Sequence, residues 1–330
     1  MRIIFHIGMG KTGTTSIQNA LAQNAAALAR QKARYLGMWF DGVDQKFRGL
    51  KGFGTFVAQS AENQKRHAQS FLDHVNAIAK DTKATTFVFS NESLFQNGPR
   101  LTPFFGELQN LSAELEVIAY VRDPRAWLPS AHTQWALRHK TNEGPLEDLA
   151  TSARRLIKFY DALPFWIEQF GDAAQIRHTA LEHDVVADFA ETTGLILTPP
   201  ATRALERSEP ADILLRAMFN NRVEGTALPE RFNRVIRDTE ANPVPSLEDI
   251  KRVCFDQSAA ETVIAENADM FEFLRDRTGI DFVNTSDDPP AEPDDAELQR
   301  RVIDYLIEIT FDQAQRLKRL ERLVSELQKD

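Results

Sequence analysis

The sequence has a single cysteine, Cys254, and no long run of apolar residues. One cysteine excludes an internal disulfide and a zinc site built from cysteines alone. No stretch of about 18 apolar residues occurs that could cross a bilayer. The first residues also lack the basic, apolar and cleavage regions of a secretory signal. These absences predict a soluble, cytoplasmic protein without a transmembrane segment.

Positive charge is also scarce, because 39 Lys and Arg residues stand against 48 Asp and Glu residues and the net charge is −9. A broad nucleic-acid-binding surface needs an excess of basic residues, so we expect no nucleic-acid partner. A polyanionic ligand would have to be bound by a local cluster of cations. The candidates for that cluster are Lys11, Arg122, Arg125, Arg138 and Lys140.

The first 16 residues carry the most informative pattern. Residues 3–7 (IIFHI) form an apolar run that predicts a buried strand, a glycine-rich turn follows, and residues 17–33 predict a helix. A strand, a glycine turn and a helix direct several backbone N–H groups at one point, and Lys11 adds a positive charge. This pattern predicts a site for a phosphate or a similar oxyanion. Its candidate residues are Gly10, Lys11, Thr12, Gly13, Thr14, Thr15 and Ser16.

The turn does not have the spacing of a Walker A motif. A G-x-x-x-x-G-K-[ST] pattern that ends at Thr12 requires a glycine at position 5, where the chain has Phe5. The lysine also precedes the main turn, in the order Lys-Thr-Gly-Thr-Thr. A P-loop nucleotide kinase or NTPase is therefore an alternative and not the first interpretation. It would require magnesium ligands at strand ends, for which Asp123 is the ready candidate.

A second pattern follows another predicted strand, residues 116–121 (EVIAYV). Arg122 comes directly after that strand, and the Asp-Pro pair that follows favours a helix start. Ser130 lies eight positions after Arg122 on the same helix, and Pro129 beside it is expected to bend or restart the helix. Arginine offers a rigid fork of donors to a phosphate, and a serine hydroxyl can turn to the same group.

Together the two patterns resemble the sulfotransferases that use 3′-phosphoadenosine 5′-phosphosulfate (PAPS), and the Lys-Thr-Gly-Thr-Thr-Ser order is similar to that of bacterial members. The resemblance implies that residues 10–16 bind the 5′-phosphosulfate and that Arg122 and Ser130 bind the 3′-phosphate. It implies transfer of a sulfuryl group to a hydroxyl or amine of a glycan, a glycolipid or a small alcohol. The product nucleotide would be 3′-phosphoadenosine 5′-phosphate (PAP), and no metal would be required.

Two departures from that family concern the adenine. Ser16 stands where eukaryotic cytosolic members have a tryptophan that stacks on the base, and their R-K-G-x-x-G motif is missing. Base recognition must therefore come from elsewhere in the chain. Arg207 and Ser208, which precede a predicted helix, are candidates.

The resemblance also implies two catalytic roles. Lys11 would stabilise the charge on the departing phosphate oxygen. Members of the family use a glutamate or a histidine near the sulfate as the base that takes the acceptor's proton. We predict Glu92, because it follows a predicted strand and ligands lie beyond the carboxyl ends of parallel strands. His132 or His139 is the alternative, whereas His6 is expected to be a core residue.

Strand patterns alternate with helical patterns along the chain. This alternation predicts an α/β fold with a doubly wound, mostly parallel sheet of about five strands flanked by helices, and a helical C-terminal part. Further strands are predicted at 34–38, 85–89 and 173–178, and the longer helices at 61–80, 154–170 and 246–270. The predicted division is a PAPS-binding core at 1–198, a helical part at 199–284 on the acceptor side, an acidic proline-rich linker at 285–295 and a C-terminal helix at 296–330.

Residues 39–55 combine several glycines with large aromatic side chains, Trp39, Phe40, Phe47 and Phe53. This composition suits a mobile lid that stacks on an acceptor. It equally suits a surface loop that its aromatic side chains anchor.

The predicted C-terminal helix has apolar residues near heptad spacing, with Gln313 and Arg316 interrupting the seam. The apolar residues of this seam are Leu298, Val302, Leu306, Ile309, Leu320, Leu323 and Leu327. Self-association into a homo-oligomer and packing back onto its own domain are equal expectations. A non-catalytic scaffold that acts through this helix is the second alternative function.

Overall fold

The computed structural model describes residues 1–111, 114–180, 183–199, 209–234, 246–283, 291 and 293–327. Its strands are β1 (Arg2–His6), β2 (Ala33–Tyr35), β3 (Thr86–Ser90), β4 (Glu114–Val121) and β5 (Ala174–His178). They form one sheet in the order β2-β3-β1-β4-β5, and every neighbouring pair is parallel. The predicted fold class, a doubly wound parallel sheet with a helical C-terminal part, is therefore confirmed.

Helices connect the strands and make up the remainder of the regular structure in the described ranges. They are α1 (Thr14–Gln23), α2 (Ala25–Arg30), α3 (Gly49–Val57), α4 (Ala61–Thr82), α5 (Ser93–Asn97), α6 (Thr102–Asn110), α7 (Pro124–His132), α8 (Leu149–Leu156), α9 (Ala162–Phe170), α10 (Val185–Thr193), α11 (Pro210–Asn221), α12 (Pro229–Arg234), α13 (Leu247–Phe255), α14 (Ser258–Ala265), α15 (Ala268–Thr278) and α16 (Asp295–Leu327).

The strand order reverses at β1. Within the sheet, β3 and β2 lie to one side of β1, and β4 and β5 lie to the other side. β1 and β4 are neighbours, with a register that runs from Arg2 opposite Glu114 to His6 opposite Ile118. Ligands of open parallel sheets lie beyond the carboxyl ends of the strands at such a reversal. The glycine turn after β1 and Arg122 after β4 therefore leave the sheet where a ligand is expected.

Several predicted helices are interrupted in the structure. Asn24 divides the helix predicted at 17–33 into α1 and α2, because its side-chain amide donates to the carbonyl of Ala20 (2.8 Å) and to that of Thr198 (2.9 Å). Such side-chain bonds to the backbone compete with the helical ladder. A 3₁₀ turn, Ile157–Asp161, separates α8 from α9, and the helix predicted at 246–270 is three helices, α13, α14 and α15.

Pro129 does not restart the helix that follows β4. α7 runs through it, and a π-helical turn, Thr133–Arg138, follows at once. Proline removes one backbone donor from the helical ladder, and the Thr133 hydroxyl donates to the Pro129 carbonyl oxygen at 3.0 Å. The helix is therefore not broken at Pro129. Instead it widens into the π-helical turn that follows.

One face of the sheet is covered by a cluster of phenylalanine rings. Phe5 of β1 and Phe89 of β3 lie 5.7 Å apart, and Phe40 stacks on Phe89 at 4.6 Å and on Phe56 at 4.0 Å between ring centroids. Phe104 of α6 contacts Phe40 edge-on at 5.3 Å. Offset and edge-to-face pairs of this kind add to the stabilisation from apolar burial.

This cluster corrects the interpretation of residues 39–55. The segment is two 3₁₀ turns followed by α3, and Phe40, Phe47 and Phe53 are buried. Buried rings have no free face for an acceptor, so the lid interpretation is wrong for these three side chains. They anchor the segment to the sheet.

The other face of the sheet packs against α1 and α10. Its core includes Ile4, Ile118 and Tyr120 from the strands and Phe189 from α10. His6, the last residue of β1, is fully buried here, with Tyr120 at 5.6 Å and Phe189 at 5.3 Å between ring centroids. Its Nδ1 is hydrogen-bonded to Ser90 Oγ at 2.7 Å, and burial lowers its pKa to about 3. The expectation of a core histidine is confirmed.

Internal packing divides the chain into two units. The first comprises Met1–Leu128, Arg154–Glu206 and Glu261–Pro289 and contains the sheet. The second comprises Pro129–Ala153, Arg207–Ala260 and Pro290–Asp330. Within the second unit, α11 packs against α13 and α16 around buried apolar side chains that include Leu214, Ile250 and Val302.

The predicted boundaries at 198, 284 and 295 stay a prediction. Residues 285–290 and 292 of the predicted linker lie outside the described residues, as do Arg207 and Ser208. Among the helices that the structure describes, none has both the length and the apolar character needed to cross a bilayer.

Replacing Phe40 by alanine should lower the free energy of unfolding by about 3–5 kcal/mol, because a fully buried ring at the centre of the cluster leaves a cavity. Urea unfolding measures the change. Leu50→Ala is the control, since Leu50 is 74% exposed and its loss should change stability by less than about 0.5 kcal/mol. Equal stability of the two variants would contradict the anchoring role.

His6 should make the protein less stable in acid. Its folded-state pKa, about 3, lies below the ordinary value of 6.5, so only the unfolded chain takes up this proton between those values. The contribution is complete above pH 6.5 and declines as the pH falls toward 3, by up to about 1.4 kcal/mol per pH unit. Urea unfolding at pH values from about 4 to 6.5 gives the slope of the unfolding free energy against pH. His6→Gln should lower that slope by about 1.4 kcal/mol per pH unit, which corresponds to one proton.

Ser90→Ala is the matched control for that measurement. It removes the partner of His6 Nδ1 but keeps the buried imidazole, so it should lower stability without flattening the slope. An unchanged slope in His6→Gln would show that His6 is not the group responsible.

Candidate functional site

The chain stays beside β4 for three residues after β1 ends. The N–H of Ile7 donates to the Ile118 carbonyl and the N–H of Met9 donates to the Tyr120 carbonyl, both at 2.9 Å. Gly8 lies between them, and a Cβ at this position would lie 3.0 Å from Thr12 Oγ1 and 3.1 Å from the Tyr120 backbone nitrogen. A side chain here would be in tighter contact than is usual, so glycine allows the close approach of the two backbones.

The turn that follows has the backbone of an anion-binding nest. Lys11 and Gly13 both have left-handed backbone angles, with φ of 70° and 90°. Alternation of left- and right-handed residues makes successive N–H groups converge. The Gly13 carbonyl accepts from Ser16 (2.9 Å) and Ile17 (3.2 Å) as α1 begins, so the N–H groups of Thr14 and Thr15 have no acceptor within the helix.

Gly13 also touches the helix on the other side of the turn. A Cβ here would lie 2.6 Å from Val185 Cγ1 on α10. The close packing and the positive φ together fix glycine at this position. The turn is thereby supported from α10 as well as from β4.

The hydroxyl groups of the turn have different roles. Thr12 is buried and its Oγ1 donates to the Met9 carbonyl at 2.5 Å, which closes the turn. Thr14 is 5% exposed, and its Oγ1 has no hydrogen-bond partner among the described residues. An unpaired buried hydroxyl costs free energy that a ligand oxygen would recover. Thr15 and Ser16 are half-buried.

Arg122 follows β4 directly and is 4% exposed. The buried Tyr160 hydroxyl donates to its backbone carbonyl at 2.6 Å. Asp123 begins α7 as the sequence predicted, because its Oδ1 accepts from the Arg125 N–H at 2.8 Å and its carbonyl accepts from Trp127 at 2.8 Å. A cap of this kind stabilises the first turn of a helix.

Trp127 joins the two motifs. Its indole N–H donates to the Gly10 carbonyl oxygen at 2.8 Å, across 117 residues of sequence. The ring is fully buried, with Phe159 at 5.3 Å and Tyr160 at 5.6 Å. Tyr160 therefore supports Arg122 through the carbonyl and Trp127 through the ring, so the glycine turn and the start of α7 share one buried support.

Two of the other predicted cations have internal partners. Arg125 forms an ion pair with Glu261, with one N–O distance of 3.1 Å, and also donates to the Val283 carbonyl. Lys140 is fully buried, and its ammonium group donates to the carbonyls of Asn142 and Val223 at 2.8 Å and of Gly225 at 3.0 Å. Burial lowers the pKa of Lys140. Arg138 lies in the π-helical turn after α7.

Glu92 stands between β3 and α5, and it is half-buried. The side-chain amide of Gln18, on α1, donates to Glu92 Oε2 at 3.2 Å and to the Ser90 carbonyl at 3.1 Å. Tyr35, at the end of β2, is close enough that burial, together with the charge of Glu92, raises the pKa of Tyr35 to about 12. The carboxylate is thus held by the helix that begins at the glycine turn.

The two alternative histidines are held by bonds to their own unit. His132 is fully buried, with Nδ1 at 2.7 Å from Ser152 Oγ and Nε2 at 2.7 Å from the Val253 carbonyl. His139 Nδ1 is 2.8 Å from the Gln134 carbonyl. These contacts make Glu92 the better candidate for the base. Ser130 is half-buried on α7, and its role in binding stays a prediction.

Sequence reasoning missed a buried polar network beneath the turn. The Tyr120 hydroxyl donates to Asp188 at 2.6 Å, and Arg177 donates to the same carboxylate, with one bond of 3.1 Å. Burial raises the pKa of Asp188, but the hydrogen bonds from Arg177 and Tyr120 outweigh it and lower the pKa overall. The network joins β4, β5 and α10, the helix whose Val185 packs on Gly13.

The structure also contains an open cavity of about 390 Å³ beside Arg125. Its walls come mainly from α14 and α15 and include Ile264, Phe271 and Arg275. Of the candidate cations, Arg125 lines it, whereas residues 10–16, Arg122 and Ser130 do not. Within the described ranges, no group of His, Cys, Asp and Glu side chains has the arrangement of a metal site.

Comparison with known proteins bears on this arrangement. The model of a family described as Sulfotransferase domain matches residues 3–192. That range begins in β1, contains both motifs and ends in α10. A comparison with curated proteins finds no match. Because the matched range covers more than half of the chain, the protein belongs to the sulfotransferase domain family.

Proposed function

We propose that the protein transfers a sulfuryl group from PAPS to a hydroxyl or amine of an acceptor, with a glycan, a glycolipid or a small alcohol as the acceptor class. The bond between sulfur and the bridging phosphate oxygen breaks, with its electron pair on that oxygen. A bond forms between sulfur and the acceptor atom, whose proton passes to a base. PAPS supplies the activated sulfuryl group when it is bound, and the protein supplies position, charge and the base.

The observation that carries the proposal is the bond from Trp127 to the Gly10 carbonyl. It holds the start of the segment after β4 against the turn after β1, at the point where the strand order reverses. An adenosine bisphosphate carries anionic groups at its two ends, so it needs two donor sets at a fixed separation. A glycine nest and a buried arginine that follow two adjacent strands are donor sets of the kind that this requirement calls for.

The orphan hydroxyl of Thr14 supports the fit to a phosphate at the nest. The N–H groups of Gly13, Thr14 and Thr15 would bind the 5′-phosphosulfate, together with the Thr14 hydroxyl. Lys11 would stabilise the charge that develops on the departing phosphate oxygen. Its left-handed backbone angle, costly for a residue other than glycine, is a strain of the kind that persists at functional sites.

Arg122 and Ser130 would bind the 3′-phosphate. Arg122 is nearly fully buried, where a guanidinium has lost most of its water and binds a phosphate strongly. Glu92 would take the proton from the acceptor. Gln18 would keep the carboxylate in position by its bond to Oε2.

The contacts of Asp123 weigh against the P-loop kinase or NTPase alternative. Its Oδ1 accepts from the Arg125 N–H as the helix cap, whereas that alternative requires this carboxylate as a magnesium ligand. Nucleotide choice therefore discriminates between the candidate functions.

Titration calorimetry should show that the protein binds PAP without metal and does not bind ADP with magnesium. Arg122→Ala should weaken PAP binding about 10- to 100-fold, since hydrogen bonds to charged groups contribute about 1.5–3 kcal/mol.

Lys11→Ala should reduce the transfer rate about 100- to 1,000-fold, the usual cost of removing one donor to a developing charge. An acceptor screen with radiolabelled PAPS supplies the substrate for the rate measurement.

The chain provides matched controls for both variants. Lys83→Ala replaces another lysine with a left-handed backbone angle, φ 59°, so it repeats the strain of position 11 away from the turn. Arg2→Ala removes an arginine at the opposite end of β1. Both should bind PAP and transfer sulfate as the wild type does. Binding of ADP with magnesium would favour the P-loop kinase or NTPase alternative. Binding of neither nucleotide would favour the non-catalytic scaffold that acts through the C-terminal helix.

Glu92→Gln should lower kcat about 100- to 10,000-fold, the usual contribution of a positioned base, while PAP affinity changes less than about twofold. Gln18→Leu should lower kcat by a smaller factor, because the carboxylate remains but loses its bond to the amide. Gln23→Leu is the control on the same helix, since Gln23 is exposed. A Glu92→Gln enzyme with wild-type kcat would remove the assigned role.

A further inference from the structure

The distal segment of α16, defined as residues 303–324, carries most of the exposed apolar surface in the described part of the chain. Eight of the twelve large hydrophobic side chains that are exposed there belong to it. They are Ile303, Leu306, Ile307, Phe311, Leu317, Leu320, Leu323 and Val324. By contrast Leu298 and Val302, which precede the distal segment, are buried in the core that α16 shares with α11.

A solitary helix with such a surface is not stable by itself in water. Isolated helices are marginal, and helices in proteins gain most of their stability from packing an apolar face. A contiguous exposed apolar stripe marks a surface that another body covers. The 33 residues of α16 span about 50 Å, so the distal segment extends several turns beyond its contacts with α11.

Five of these eight exposed residues lie on one heptad seam. Counting Ile303 as position a, the a and d positions are Ile303, Leu306, Thr310, Gln313, Leu317, Leu320 and Val324. This seam differs from the one predicted from the sequence, which ran through Leu298 and Val302 and placed Arg316 inside it. α11 already covers those first two residues. The seam that remains exposed therefore lies on a different side of α16, and Arg316 is beside this seam and no longer within it.

We propose that the distal segment forms a parallel two-stranded coiled coil with a second copy of this chain. Isoleucine or valine at two a positions (Ile303 and Val324) and leucine at two d positions (Leu306 and Leu320) favour parallel dimers. Arg316 is at position g, and Glu321 is at position e of the next heptad. Arg316 forms an ion pair with Asp312 of its own helix at 2.9 Å. In a parallel pair it would also lie beside Glu321 of the other copy, so the flanks are complementary in charge.

The polar positions set the register of this coiled coil. Thr310 and Gln313 occupy successive layers in the middle of the seam. In register, each meets its own counterpart and the two can hydrogen-bond. A shift by one heptad would place Gln313 against Leu320 and leave the amide without a partner, which costs stability.

The antiparallel arrangement fits the surface less well. If the polar layers still meet, Leu323 of one copy lies beside Val302 of the other, and α11 already covers Val302. Arg316 would then lie beside Ile309. The parallel arrangement places each apolar residue of the seam against its own exposed counterpart, on both sides of the two polar layers.

Sedimentation equilibrium of the full chain should give twice the monomer mass of 37.3 kDa. A double variant, Leu317→Lys with Leu320→Lys, should be monomeric and keep wild-type PAP affinity. Phe311→Lys is the control, since Phe311 is exposed at position b outside the seam, and it should remain a dimer. A wild-type monomer, or a double variant that stays dimeric, overturns the proposal.

Charge exchange tests the pairing directly. Arg316→Glu alone and Glu321→Arg alone each place like charges across the interface, so each should dimerise at least tenfold more weakly than the wild type. Mixing the two variants should restore the dimer, because the mixed pair has opposite charges at both flanks. Restoration cannot come from misfolding of either chain, and absence of restoration contradicts the parallel register.

Leu320→Cys tests the orientation. In a parallel dimer the two cysteines face each other in one layer and should form a disulfide under mild oxidation. The native Cys254 is buried, so the wild type should not cross-link. A dimeric variant that does not cross-link would contradict the parallel orientation.

Discussion

The bond from the Trp127 indole to the Gly10 carbonyl joins the parts of the chain on which the site depends. This bond connects the glycine turn to the segment after β4 in addition to the backbone bonds that join β1 and β4. A carbonyl left unpaired beside a buried ring costs about 1–3 kcal/mol, so the turn has one favoured position relative to α7. Tyr160 extends the same support to Arg122, because its hydroxyl donates to that residue's carbonyl while its ring packs on Trp127.

The sheet makes this contact geometrically possible. β1 and β4 are far apart in the chain but adjacent in the sheet, and the N–H of Met9 still donates to Tyr120 beyond the last residue of β1. Gly8 allows that approach, because a Cβ would meet Thr12 and the backbone of Tyr120. Below the turn, the Tyr120–Asp188–Arg177 network fixes α10 against the sheet, and Val185 of α10 closes the space beside Gly13. The turn is therefore held on both sides by buried contacts.

The parts of the structure that the sequence predicted are those whose contacts are close in sequence. The strand–turn–helix at the N-terminus, the Asp123 cap and the parallel alternation depend on apolar periodicity, on glycine and on residues within one turn. The missed contacts join distant residues: Trp127 to Gly10, Gln18 to Glu92 and Tyr120 to Asp188 are separated by 117, 74 and 68 residues. The lid interpretation of residues 39–55 was wrong for the same reason. Composition shows which aromatic rings are present, but it does not show whether they are buried against the sheet.

Charge explains why the site has to be built from backbone groups. The chain has a net charge of −9, and two of the candidate cations are bound internally: Arg125 to Glu261 and Lys140 to carbonyl oxygens. In such a chain the overall field does not attract an anion. The N–H groups at the start of α1 provide partial positive charge at a fixed position without a long side chain to immobilise. The cations proposed to lie near the turn would then act over short distances, which would favour a ligand whose anionic groups match their spacing over anions in general.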